Sequence, residues 1–303
     1  MIEADWKRIG PYSKAETQAA GRSFAIFSDY HHYDSSRVDN VPKIFDVKHH
    51  NSVAWDFQSQ QDGPWSRPVS RECIAAARKG DWRVHLTPSP LPHDWLGDIT
   101  NKDILCLASA GGQQAPVLAA AGANVTVFDL SGEQLHKDEM VARRDGLPLV
   151  VAQGDMCDLS RFVDASFHLV LHPISNQYVC DIQPVWNECY RVLRKGGALL
   201  SSFFNPAVFI SDRDPHFTEQ GLIRPRFPTP YSDIRDLDEA EIEAKLARRE
   251  PLIFGHDMQS QIGGQLAAGF MLAGFLEEMH PNPRFEIEKF IPSFIATRSI
   301  KLR

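Results

Sequence analysis

The sequence has no apolar run of the ~18 or more residues that a membrane-spanning helix needs. Its opening residues, Met1 to Trp6, are acidic and polar and lack the basic segment and apolar stretch of a secretory leader. Its 5 cysteines (Cys73, Cys106, Cys157, Cys180 and Cys189) form no C-x-x-C pair and no regular framework. They read as reduced thiols, so the expected compartment is the cytoplasm. Positive charge is in deficit, with 32 Lys and Arg against 39 Asp and Glu and a formal net charge of −7. A phosphate-backbone binder presents a basic face, so neither nucleic acid nor a membrane is an expected partner. No internal repeat or low-complexity tract is present. The paired histidines, His31 with His32 and His49 with His50, are not completed into a metal set by any carboxylate or cysteine spacing, and no metal is expected.

The 303 residues are enough for one large α/β domain and an appendage. Residues 1–98 show no sustained period and are rich in aromatics, histidine and proline. Tyr30, Tyr33, Trp55, Trp65 and Trp82 make this stretch too aromatic for a disordered tail. It reads as an N-terminal extension of short helices and loops that packs on the main domain.

From about residue 99 the texture changes. Short apolar runs at Lys102–Ala108, Asn124–Phe128, Leu147–Ala152, Phe167–Leu171 and Ala198–Phe204 read as strands. Between them lie helical segments at Gln113–Ala121, from Ser131 to about Arg144, and at Asp181–Leu193. Ser131 and Gln134 have capping-box spacing. Continuous apolar strands alternating with amphipathic helices specify a parallel sheet covered on both faces. Residues 205–257 interrupt the pattern with six prolines and a charged helix, Asp236–Arg249, in which Glu241 and Lys245 have supportive spacing. This insertion reads either as a solvated excursion or as a lid. A helix at Gln259–Ala273 and strands at Gly274–Met279 and Phe294–Lys301 close the chain.

The first strand-to-helix turn carries the strongest local signal. Ala108, Ser109, Ala110, Gly111 and Gly112 are all small, which lets a ligand approach the backbone beside a helix N-terminus. Gln113 follows directly. Asp129, with Leu130 after it, ends the second strand, where a carboxylate can accept both hydroxyls of a ribose. Asp155 and Met156 follow the third strand and offer an acceptor and a polarizable surface for an adenine ring. His172 ends the fourth strand, where the strand order should reverse and a crevice open; it is a candidate general base or a satisfied core histidine. Asn176 and Gln177 could orient a substrate or the amino-acid part of a cofactor.

These residues together resemble a class I S-adenosylmethionine-dependent methyltransferase from about Asn101 to Arg303, nearest to the type 11-like group that acts on small molecules. Lys102–Gly112 resembles that family's glycine-rich first motif. Asp129 matches its ribose acid, and Asp155 with Met156 its adenine-side pair. The run from Arg191 to Leu200, through Lys195, Gly196 and Gly197, resembles its helix-to-fifth-strand signature. The sequence departs from the pattern at Cys106, where the family has an acid, and at Ala108 and Ala110, where it has glycines. The resemblance implies a Rossmann-like, doubly wound, seven-stranded sheet with a reversed terminal strand. It also implies S-adenosylmethionine as cofactor, held by Ala108, Ser109, Ala110, Gly111, Gly112, Gln113, Asp129, Leu130, Asp155, Met156 and His172. Methyl transfer to a small-molecule acceptor is the expected function, with Tyr30, Tyr33, Trp55 and Asn176 as acceptor-side residues. A non-catalytic cofactor-binding module or partner subunit is the alternative, and a nicotinamide-dependent oxidoreductase a more distant one.

Overall fold

Five apolar segments lie side by side as parallel strands, and the central ones are buried on both faces. They are β1 (Asp103–Leu107), β2 (Asn124–Asp129), β3 (Leu149–Gln153), β4 (Phe167–His172) and β5 (Leu193–Phe204). Along β1, Ile104 and Cys106 enter one core cluster while Leu105 and Leu107 enter the other. That alternation is the signature of a sheet with a hydrophobic layer on each side. The computed structural model describes residues 46–303, which form one unit from Asp46 to Arg303. The seven-stranded sheet runs β3-β2-β1-β4-β5-β9-β8, with β8 at Phe270–Glu278 and β9 at Phe294–Lys301. β9 is antiparallel to both β5 and β8, so it alone is reversed. The order changes direction between β1 and β4, which opens a crevice beyond their carboxyl ends. Among the described residues, no helix is long and apolar enough to cross a membrane.

Helices α1 (Val47–Gln60), α2 (Arg71–Ala77) and α3 (His93–Leu96) precede the sheet, and α4 (Gln114–Ala120), α5 (Gly132–Asp145) and α6 (Gln183–Val192) connect its strands. The described part of the segment before residue 99 contributes to the main core. Ala77, Val84, Leu86, Leu91 and Leu96 are buried in the same cluster as Ile104 and Leu118.

Two elements differ from the sequence expectation. The helix expected over Gln259–Ala273 is one π-type turn at Gln259–Gly263 followed by α10 at Gly264–Ala267, after the insertion's own helices α7 (Pro215–Glu219), α8 (Asp233–Asp236) and α9 (Glu239–Ala247). Gly269, at φ +106°, ends it, and Phe270 to Leu272 pair with β9. The charged helix expected over Asp236–Arg249 is present as α9, but its ion pairs are not those expected from spacing. Lys245 is buried and reaches Asp233, also buried, at 2.6 Å. Glu241 instead pairs with Arg226 at 2.7 Å. The insertion has its own small core of Phe209, Phe227 and Tyr231, and its strands β6 (Tyr231–Ser232) and β7 (Phe254–Gly255) form a separate two-stranded sheet.

Candidate functional site

A cavity of about 840 Å³ lies over the carboxyl ends of the strands. Ala108, Ser109, Ala110, Gln113, Asp129, Leu130, Asp155 and Met156 line it, so the ends of β1, β2 and β3 converge there as their sequence pattern implies. Asp129 sits half-buried, with Oδ1 accepting the Ser131 N–H at 2.8 Å. Burial pushes its pKa up to about 6; the Ser131 and Leu130 N–H groups oppose this, and the Asp56 charge adds to it. Asp155 Oδ1 accepts from the Cys157 N–H at 2.9 Å, and its Oδ2 lies 3.3 Å from Lys48 Nζ of α1.

The small-residue turn divides into two faces. Ala108 (φ 47°) and Ala110 (φ 69°) take the left-handed conformation that glycine adopts most easily, so the turn keeps its shape although alanine stands there. Gly111 and Gly112 do not line the cavity; they let the turn pack. A Cβ on Gly111 would sit 2.7 Å from the Gln134 carbonyl oxygen, and one on Gly112 3.1 Å from that of Lys137. Their N–H groups are also spoken for: Gly111 donates to the Trp65 carbonyl and Gly112 to Asp138 Oδ1 at 2.9 Å. Asp138 is fully buried, and burial raises its pKa well above the carboxylate range. The expected capping box is half present. Ser131 Oγ accepts from the Gln134 N–H, but the Ser131 N–H goes to Asp129, which leaves the Gln134 side chain on the cavity wall.

His172 and Asn176 stand behind the cavity wall. Neither lines the cavity. The His172 ring is 0% exposed, with Nδ1 against the Leu107 carbonyl and Nε2 against Asn176 Oδ1. Burial lowers its pKa, and the hydrogen bonds to the Leu107 carbonyl and the Asn176 side chain oppose this. Asn176 spends its Nδ2 on Gln261. The pair ties the end of β4 to the 259–263 turn.

The remaining wall comes from segments distant in sequence. From α1 come Val47, Lys48, Asn51 and Trp55; Trp65 and residues 85–88 follow. Trp55 meets Tyr178 edge-on, with ring centroids 5.1 Å apart. Asn51 fixes α1: its Nδ2 donates to the Tyr178 and Leu252 carbonyls at 3.0 Å, and its Oδ1 accepts from the Leu252 N–H at 2.8 Å. Asp56 accepts from Ser131 Oγ and the Glu133 N–H, joining α1 to the start of α5. Gln113 donates to the Pro64 and Arg67 carbonyls, and Gln114 pairs with the His85 backbone. No residue of 205–257 lines the cavity. Tyr30, Tyr33, His31 and His32 lie outside the described residues.

Sequence reasoning missed the far end. Phe204, His280, Pro281, Arg284 and Phe294 close it. Phe204 ends β5 and Phe294 begins β9, and the two are register partners. β8 ends on the same edge, so the 279–293 connection overhangs the carboxyl ends of the strands. The only available signal was the aromatic that ends each strand, and nothing in one sequence brings the two together.

The lining suits an adenosyl-type ligand. Two carboxylates stand at successive strand ends beside Met156 and Phe128. Ser109 Oγ and Gln134 Oε1, both on lining residues, have no hydrogen-bond partner among the described residues. Residues 105–201 match the methyltransferase domain family. The chain is 43% identical over 254 residues, 84% of its length, to an uncharacterized methyltransferase, YbaJ of Bacillus subtilis (strain 168), of which it covers 98%. Among solved structures it is similar to an S-adenosylmethionine dependent methyltransferase from Listeria monocytogenes, with a TM-score of 0.55 and 18% identity over 76% of this chain and 100% of that one. It is also similar to the [4+2]-cyclase SpnF, with a TM-score of 0.51 and 16% identity over 84% of this chain and 94% of that one. Likeness at these identities speaks for the fold; the sequence relative speaks for the family.

Proposed function

The chain belongs to the class I S-adenosylmethionine-dependent methyltransferases, and we propose that its acceptor is a small molecule bound in the cavity that also holds the cofactor. The enclosure carries this reading. About 840 Å³ is near the top of the ~300–1,000 Å³ range of small-ligand pockets, and the cavity continues past the cofactor-side carboxylates to an aromatic end.

The residues divide the work. Asp129 accepts from the ribose hydroxyls, with Leu130 beside it. Asp155 and Met156 flank the adenine, and Ala108, Ser109, Ala110 and Gln113 border the amino-acid part. The bound cofactor supplies a methyl group already activated on a sulfonium. Trp55 and Tyr178 offer aromatic faces, which favour a cation and exclude water. The chain's main tasks are then alignment and enclosure. We assign enclosure to α1 and the 64–88 segment, with the insertion bracing α1 from behind through Leu252.

Incubation with methyl-labelled S-adenosylmethionine and a cell extract tests the acceptor class. Label should appear in a dialysable product other than S-adenosylmethionine itself. Label confined to protein or nucleic acid would sink the proposal.

A further inference from the structure

The charges lining the cavity are sorted by place. Its three carboxylates, Asp129, Asp155 and Asp181, stand at or next to the ends of β2 and β3 and the start of α6. Two lining residues carry a permanent positive charge, Lys48 and Arg284. Lys48 is paired with Asp155. Arg284 stands at the other end, in the β8–β9 connection, where no lining carboxylate accompanies it.

Arg284 is held for use. Its guanidinium lies over the Phe204 ring, 5.1 Å from the centroid. Glu288, 0% exposed, accepts Arg284 Nη2 at 2.9 Å and also the backbone N–H groups of Arg284 and Phe285. The carboxylate is therefore locked into its own turn and fixes the guanidinium by one corner. Of the five guanidinium N–H donors, only one, on Nη2, is spent on a hydrogen bond among the described residues. Arg284 also acts on the Tyr178 hydroxyl across the cavity: burial pushes that phenol up to about 12, and the Gln177 side chain and the Arg284 charge partly offset the rise. Beside it, Phe204 and Phe294 pack with centroids 5.3 Å apart, and His280 stacks on Phe294 at 5.1 Å. The result is an apolar wall of two rings, tilted 37° to each other, ending at a planar cation with donors to spare.

We infer that the methyl acceptor is an aromatic or similarly flat carboxylic acid, its apolar body against Phe204 and Phe294 and its carboxylate on Arg284. A guanidinium edge matches a carboxylate with two parallel hydrogen bonds, and an aromatic backing keeps it oriented. The inference rests on the acceptor sharing the cofactor's cavity, as proposed above. It adds an arrangement of opposite ends: carboxylates where a sulfonium cofactor sits, a cation where the acceptor's charge sits. Such sorting also fixes which end of the acceptor faces the methyl, because the carboxylate is held away from the cofactor-side acids.

Calorimetry on the full chain saturated with S-adenosylhomocysteine tests this, with 4-hydroxybenzoate and 2-naphthoate as probes and their amides as neutral controls. At least one acid should bind about tenfold or more tightly than its amide, the ratio expected of a charge-assisted contact worth ~1.4 kcal/mol. In Arg284→Gln the ratio should fall to about one while S-adenosylhomocysteine affinity holds. Equal binding of acid and amide, binding of neither, or a preference that survives Arg284→Gln would overturn the inference and leave the cofactor assignment standing. Failure of S-adenosylhomocysteine itself to bind would remove the underlying reading and this inference with it.

Discussion

At the residue scale, Asp129 carries the sharpest expectation. Its carboxyl is raised to about 6 by burial, with Asp56 adding to the rise. Ribose hydroxyls donate to the ionised form, so cofactor affinity should fall as pH drops through about 6. Asp129→Asn should flatten that profile and weaken binding by ~1.5–3 kcal/mol, the scale of hydrogen bonds to a charged group. For stability the sign is opposite. The folded chain holds this proton more tightly than the unfolded chain, whose value is 3.8, so the contribution of Asp129 is greatest in acid and is lost as pH rises from 3.8 towards about 6. Titration calorimetry over this window reads the first effect and thermal melts the second, and a flat affinity profile in the parent would count against the ribose role. The first turn gives a second pair of tests. Gly111→Ala should destabilise by ~1–3 kcal/mol, because the new methyl meets the Gln134 backbone. Ala110→Gly, by contrast, relieves a left-handed alanine and should be neutral or stabilising by up to ~1 kcal/mol. Thermal melts showing the reverse order would mean the turn is shaped differently. From the sequence this turn is readable as small and close-packed. Which of its residues face the ligand is not readable, since alanine and glycine satisfy the same pattern on either face.

At the element scale, α1 is the part of the cover with a definite anchor. Asn51→Ala would leave the Leu252 N–H without its acceptor and two carbonyls without their donor, a loss of ~1–3 kcal/mol. Hydrogen exchange across residues 47–60 should accelerate selectively. Uniform protection in the variant would show that the helix is held by something else. Strands β1 to β5 were legible because buried parallel strands are short continuous apolar runs, and β9 because it repeats that texture. The Gln259–Ala273 segment was not, since a positive-φ glycine and pairing with β9 override its helical composition. Lys245 shows the same limit on ion pairs: spacing offers Glu241 as its partner, while folding brings up the buried Asp233 from another helix.

At the scale of the whole molecule, the carboxyl edge of the sheet collects every part of the site. The proposed cofactor end is local to three strand-end turns, so one sequence suffices to bring Asp129, Asp155 and Met156 to the cavity wall. The acceptor end joins Phe204 to Phe294 and Arg284 through the β5–β9 pairing, a contact between distant segments that no spacing announces. The same limit holds for His172: its position at a strand end reads equally as a general base or a core histidine, and only the fold shows that its ring meets Asn176 and the Leu107 carbonyl. The central claim is that this edge binds an adenosyl sulfonium cofactor through Asp129. Its most direct test is one calorimetric comparison of S-adenosylhomocysteine and NAD on the parent chain and on Asp129→Ala. The account predicts clear binding of S-adenosylhomocysteine to the parent, much weaker binding of it to the variant, and little response to NAD from either. Binding of NAD with no response to S-adenosylhomocysteine would contradict it.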